Sequence, residues 1–449
     1  MEEKNSEKKE RKMRDSGIPW IGEVPEGWKI GKIKNCCTLI GSGTTPSSHI
    51  TEYYDNEKIN WIQSGDIYGK IKIFDVKTRI STKAVLNNQT LKIYKAPFIV
   101  MAMYGGSVGN TAISMIDACT NQACCCLKPD DDTDFMFLYY WVQFCKDNFL
   151  MKAEGGGQPN ISQEKIKNQY FCAPLITEQH RIADFLDSKC SEIDALVENL
   201  RARMESAKEY KKAVITEAVT KGLDKDVKMK DSGVEWIGEI PEGWKVVKLK
   251  QYIKNVSSGL SAVTSDSSED SGKYILRTSA VSSEKFIESE VKSVTKQAES
   301  RLICPVEADT VIMSRMNTSA MVGACAYVAR NYKNLFVPDK LWKIKFTLEL
   351  SAKYAWYLIN SSPIRGWFSS TSTGASVSMQ NISLTDFYNA YAPIPRMIEQ
   401  RQISDYLDSK CAEIDALLQN YEDQIATLEK YKKSLIYEYV TGKKEVPAA

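Results

Sequence analysis

The chain has 449 residues, 43% hydrophobic and 26% charged, more apolar material than one ordinary core requires, so at least two domains are expected. Its 59 Lys and Arg nearly cancel its 57 Asp and Glu, so no global basic field marks a nucleic-acid partner, and any such face has to come from local clustering. Twelve cysteines, two histidines, a charge-dense start and no strongly apolar run longer than Phe135–Val142 argue against a disulfide framework, a zinc site, a secretory signal and a membrane span, which places the chain in the cytoplasm.

In chain order, residues 1–12 read as a charged leader and residues 13–175 as a first domain. It opens with MRDSGIPWIGEVPEGWKIGKIK (Met13 to Lys34), which returns as MKDSGVEWIGEIPEGWKVVKLK (Met229 to Lys250) at an offset of 216. Trp20, Trp28, Trp236 and Trp244 hold equivalent places there; a ligand cage is conceivable, but large aromatics mostly supply buried area, so a packed opening segment is the reading adopted. Short β-branched and aromatic runs at Lys58–Ile62, Lys70–Phe74 and Pro97–Met103 predict strands, and Phe135–Phe149 predicts a buried helix. A second domain, residues 223–395, follows the same plan, with strands at Tyr274–Arg277 and Thr310–Ser314 and a helix at Ser351–Asn360. The interiors of the two domains have diverged far more than their flanks.

Each domain leaves through a polar stretch, Gly155–Ser162 or Gly374–Ser383, and a proline, Pro174 or Pro395, into a long helix. These helices span residues 176–222 and 396–442, with a tail at 443–449. EQHRIADFLDSKCSEIDAL (Glu178 to Leu196) returns as EQRQISDYLDSKCAEIDAL (Glu399 to Leu417), identical at 14 of 19 positions. Apolar residues alternate in steps of four and three along Leu186, Cys190, Ile193, Val197, Leu200 and Met204, and again along Leu407, Cys411, Ile414, Leu418, Tyr421 and Ile425. That is a coiled-coil seam, interrupted at matching steps by Lys211 and Lys432. Each stripe needs a partner, and the simplest one is the other copy. Glu178 to Val219 alone is roughly 60 Å of helix at about 1.5 Å per residue, and the linker Gly222–Lys230 is short. The second helix must therefore run back along the first, giving an antiparallel pair with one domain at each end and an approximate two-fold axis between them.

Catalytic motifs are missing. None of the Gly-Lys pairs (Gly31-Lys32, Gly69-Lys70, Gly272-Lys273, Gly442-Lys443) is followed by Ser or Thr, and no GxGxxG, GxSxG or HExxH occurs. The acidic run Pro129–Asp134 reads as a solvated loop, so no catalytic or metal residue is assigned. What remains are polar, glycine-rich loops, whose Gln, Asn, Arg, Ser and Thr are the side chains that read base edges; plain turns have the same composition. The candidates are Thr44, Thr45, Gln63, Ser64, Tyr104, Ser107, Asn110, Gln122, Gln158 and Asn160 in the first domain. In the second they are Ser258, Arg277, Thr278, Arg315, Asn317, Lys340, Gln380 and Asn381.

The two ordered sets of DSG..WIGE.PEGW opening, NIS exit and EQ..I...LD.K..EID.L helix, separated by divergent interiors, resemble the specificity subunit of type I restriction-modification enzymes over nearly the whole chain. The resemblance implies an α+β protein in which two α/β target-recognition domains are arranged about a pseudo-two-fold and separated by an antiparallel coiled coil. It implies double-stranded DNA as the ligand, one half-site per domain, with the helices as a ruler for the unread gap. Two methyltransferase subunits and further restriction subunits would be the partners, and these would hold S-adenosylmethionine, ATP and magnesium; the chain itself would hold no cofactor. On this reading Arg277 and Arg315 are the foremost guanine readers. A two-headed protein-interaction scaffold without a DNA role is the competing reading.

Overall fold

The structure, a computed structural model, describes residues 11–55, 58–260, 270–376 and 379–447. Most of the charged leader lies outside them, as do residues 377–378 of the second exit. The chain divides into two compact units: residues up to Leu200 together with those from Asp423 on, and Arg201–Glu422. The long helices Ile176–Lys221 and Met397–Val440 each contribute one half to either unit.

In the first unit a five-stranded sheet runs in the order Cys37–Ser42, Cys124–Pro129, Phe98–Ala102, Thr111–Ser114, Lys72–Ile73. Its strands are antiparallel except the last pair. Phe98–Ala102 is buried at every position, as its unbroken apolar run requires of a strand covered on both faces. The adjacent cysteines show the two-residue period directly: Cys125 enters the large core beside the helices, while Cys124 and Cys126 face a smaller cluster with Ile62 and Tyr94. All twelve thiols of the chain are free, and burial pushes Cys119 up to about 11 and Cys125 up to about 12. The predicted helix Phe135–Phe149 is two helices, Phe135–Phe144 and Lys146–Lys152, meeting at Cys145, and the strand expected over Lys70–Phe74 is only Lys72–Ile73.

The second unit repeats this plan with Ile253–Ser257, Leu341–Phe346, Thr310–Ser314 and Cys325–Val328 in one antiparallel sheet, and helix Ala352–Asn360 against it.

The repeated flanks have specific work. Gln179, 2% exposed, accepts from the Asp134 amide at 2.9 Å and donates to the carbonyls of Asp132 (3.2 Å) and Pro174 (3.0 Å). Gln400 does the same to Ser351 (2.9 Å), Glu349 (2.9 Å) and Pro395 (3.0 Å). A buried amide satisfied at three points fixes where each long helix leaves its domain. The opening segments receive the far helix ends. Gly442 (φ +70°) sits against Pro25 and Trp28, and Gly222 (φ +76°) sits against Trp244 and Pro241. Left-handed glycine caps let each helix stop with its backbone against an indole. Trp28 and Trp244 are 2% and 3% exposed, so they pack rather than form an open cage. Trp244 donates to Glu399 at 2.9 Å, but Glu178 is taken by Arg11 at 2.6 Å and the Trp28 ring nitrogen has no partner among the described residues.

Within each unit the helices run antiparallel, as the repeat predicts. In the first, Lys432 meets Asp194 at 2.7 Å and the tilted rings of Tyr439 and Phe185 lie 4.5 Å apart. In the second, Lys211 meets Asp415 at 2.6 Å while Val214, Ile215, Ala218 and Val219 share a core with Ile403, Leu407 and Cys411. The seam residues Leu186, Cys190, Ile193, Val197, Leu200, Leu407, Cys411 and Ile414 are buried; Met204, Leu418, Tyr421 and Ile425 are half-buried. The two lysines that interrupt the apolar repeat are thus paired, each with the aspartate of the other helix's EID triplet. A charge at a seam position costs stability unless its partner is in register, so the pairs select one alignment.

Burial alone would raise the Asp415 carboxyl, but hydrogen bonds from Lys211 and Lys285 outweigh it and hold it below its ordinary 3.8. Such a group adds stability that is fully present above the unfolded value and vanishes as pH falls through the folded one. Urea denaturation should therefore show the wild type more stable than Asp415→Asn at pH 6, with the difference shrinking as pH drops below about 3.8. A difference that stays constant into acid would show that the pair does not hold the carboxylate charged.

Candidate nucleic-acid interface

Each domain ends its central strands at a polar rim, and the same backbone contacts build both rims. Beyond strand Phe98–Ala102, the Met103 amide donates to the Ala123 carbonyl at 2.8 Å and its carbonyl accepts from Ile161 at 3.0 Å. Beyond strand Thr310–Ser314, the Arg315 amide donates to the Lys340 carbonyl at 3.3 Å and its carbonyl accepts from Ile382 at 2.9 Å. Gly109 (φ +81°) closes the first hairpin onto Ala102 at 2.9 Å, and Gly323 (φ +82°) closes the second onto Ser314 at 2.8 Å. At both rims a glycine lets two chains touch: a Cβ on Gly43 would lie 1.8 Å from the Thr120 carbonyl oxygen, and one on Gly259 would lie 1.9 Å from that of Val337. By these contacts Met103 corresponds to Arg315, Tyr104 to Met316, Ala123 to Lys340 and Asn160 to Asn381.

In the first domain the structure brings Tyr104, Gln122, Gln158 and Asn160 together around a cleft of about 580 Å³. Thr45 joins them by donating to the Gln122 side-chain oxygen at 2.7 Å. Tyr104 and Asn160 face each other across a backbone bridge. All of these side chains are exposed, and those of Tyr104, Gln158 and Asn160 make no hydrogen bond among the described residues. Thr44, Gln63, Ser64, Ser107 and Asn110 do not line the cleft. The Thr44 carbonyl accepts from Trp61 at 3.3 Å, and the Gln63 amide donates to the Thr78 hydroxyl at 3.2 Å. Ser64 begins the short helix Ser64–Ile67. Ser107 folds onto the Tyr104 carbonyl at 2.8 Å, and Asn110 accepts from Lys146 at 2.8 Å.

In the second domain Asn317, Gln380 and Asn381 share a small sheet, with Asn317 opposite Gln380 and Met316 opposite Asn381. Asn317 is engaged locally, donating to Ser314 at 3.4 Å and accepting from the Thr318 amide at 2.9 Å. Asn381 has a buried side-chain oxygen without a partner among the described residues. Arg315 donates from Nε to the Asp339 carbonyl at 3.0 Å, which orients its half-buried guanidinium. Arg277, Lys340 and Ser258 are exposed, and Thr278 begins the 3-10 turn Thr278–Val281.

Three participants escaped the sequence analysis. Glu154 and Gln163 line the first cleft, and Lys165 pairs with Glu154 at 2.5 Å, holding that carboxyl below its ordinary value. They sit beside the exit rather than in a glycine-rich loop, so no local signal marks them. Among the described residues no cluster of His, Cys, Asp and Glu is placed to hold a metal ion, and no helix is long and apolar enough to cross a membrane.

Two β-rich domains thus share one backbone frame and vary its polar rim, and each is flanked by half of a repeated helix pair. The family model of the type I restriction modification DNA specificity domain matches residues 25–206 and 241–427, and the chain belongs to that family. It is similar to the MjaVIII specificity subunit of Methanocaldococcus jannaschii, 22% identical over 94% of this chain and 93% of that one. It is likewise similar to the EcoKI specificity subunit of Escherichia coli K12, 22% identical over 94% of this chain and 90% of the other. A chain from a solved type I restriction-modification assembly shares the fold with a TM-score of 0.67 at 15% identity, covering 94% of this chain and 99% of that one.

Gly259→Ala should distort the second rim and cost about 1 to 3 kcal/mol of stability, since Cβ and the Val337 carbonyl cannot both keep their places. Gly65→Ala, whose Cβ meets nothing within 4 Å, is the matched control and should leave the thermal midpoint unchanged. Equal midpoints for the two variants would contradict the close approach.

Proposed function

We propose that this chain is the DNA-reading subunit of a type I restriction-modification complex, with each domain reading one half of a split duplex target. The observation that carries the reading is the repeated frame: the same amide-to-carbonyl contacts hold both rims, while the side chains presented on them differ. A protein that must accept different base sequences through one architecture needs that separation, because backbone frames position and side chains discriminate. Lysines and arginines around each rim would take phosphates, and the cleft side chains would take base edges in the major groove.

The paired helices set the gap between the halves and dock two methyltransferase subunits, which restriction subunits join. Those partners bind S-adenosylmethionine, ATP and magnesium; this chain carries out no covalent step and works with them in the cytoplasm.

Binding of the assembled complex to random-sequence duplexes should fall steeply with salt, as counterion release demands, and should retain a strong preference for a split sequence at every salt concentration. Assembly with protein partners but no sequence preference would favour the two-headed scaffold instead.

A further inference from the structure

The rims differ in chemistry as well as in residues. Around the first cleft Gln122, Gln158, Asn160 and Tyr104 present amides and a phenol beside the Glu154 carboxylate, which Lys165 pairs, and the lining contains no arginine or lysine. At the second rim Asn381 keeps the place of Asn160, but cations stand at three other posts: Arg315 occupies the place of Met103, Lys340 that of Ala123, and Arg277 that of Gln63, which lies outside the first cleft.

The last equivalence rests on the smaller sheets. Strand Ile59–Ile62 pairs parallel with Ala118–Thr120 and antiparallel with Arg79–Ile80. Strand Asp270–Leu276 pairs parallel with Leu335–Phe336 and antiparallel with Val291–Thr295. Gln63 and Arg277 each follow the strand end and open a helical turn, accepting on their carbonyls from Asp66 at 2.9 Å and from Ala280 at 3.1 Å. At this shared post the Gln63 side chain is turned inward onto Thr78. The Arg277 guanidinium is exposed and makes no hydrogen bond among the described residues.

We infer that the two domains read chemically different half-sites: the first selects an A·T pair through the amide of Gln158, and the second a G·C pair through Arg277. This rests on the DNA-reading function above. A carboxamide offers one donor and one acceptor, which match N6 and N7 of adenine. A guanidinium offers two parallel donors, which match O6 and N7 of guanine. Arg315 is half-buried and tied through Nε to the Asp339 carbonyl, whereas Arg277 is exposed.

The test is selection by the assembled complex from duplexes randomised in both halves, with the wild type, Arg277→Ala and Gln158→Ala. Both side chains are exposed and make no internal hydrogen bond among the described residues, so the variants keep the fold. The wild type should select a G·C pair in the second half-site and an A·T pair in the first. Arg277→Ala should lower the preference at one G·C position by roughly 10- to 100-fold and leave the first half-site unchanged; Gln158→Ala should do the converse at an A·T position. A second half-site without a selected G·C pair, or an Arg277→Ala complex that selects both halves like the wild type, overturns the inference while leaving DNA reading intact. A wild-type complex with no sequence selection overturns both.

Discussion

Each long helix carries an apolar stripe that its own domain cannot cover, and the rest of the molecule depends on the other helix covering it. Leu435, Ile436, Tyr439 and Val440, near the end of the chain, belong to the same core as Ile182, Leu186 and Cys190 of the first helix. Fully burying a side chain of this size is worth about 1.5 to 3 kcal/mol, so the stripe outweighs any single polar contact in the unit. The consequence is topological. The first domain's core is finished only when residues from the far end of the chain arrive, which makes its contacts long-range and its closure late in folding. The Lys432–Asp194 and Lys211–Asp415 pairs then choose one register among the alignments that an apolar seam would tolerate.

That closure explains which parts of the chain repeat. The opening segments are alike because each receives a helix end capped by a left-handed glycine against its second tryptophan. The EQ of each helix start is alike because a buried glutamine must satisfy the same three backbone groups. The interiors are free to diverge because only their backbone contacts, not their rim side chains, are needed to hold the frame.

The helices were legible in the sequence because a seven-residue apolar period over so many turns has one physical meaning, and the antiparallel direction follows from linker length. The paired lysines were visible only as interruptions: the repeat places them, but nothing local shows that Asp194 and Asp415 lie opposite. The rims were partly legible. Residue type pointed to Tyr104, Gln122, Gln158 and Asn160, which share a cleft, and equally to Asn110 and Ser107, which are spent on Lys146 and on the Tyr104 carbonyl. Composition cannot tell a side chain turned outward from one that satisfies its own loop. The correspondence of Gln63 with Arg277 needed strand register, because the two interiors share too little sequence to be aligned.

The most direct measurement is a map of methylated bases, read by single-molecule sequencing, after co-expressing this chain with a type I methyltransferase subunit that assembles with it in a host that lacks DNA methylation. Modification is expected at a split motif with one fixed gap, and is expected to be absent when this chain is omitted. Modification that proceeds without the chain, or that follows a single undivided motif, would contradict reading of a split target by this chain.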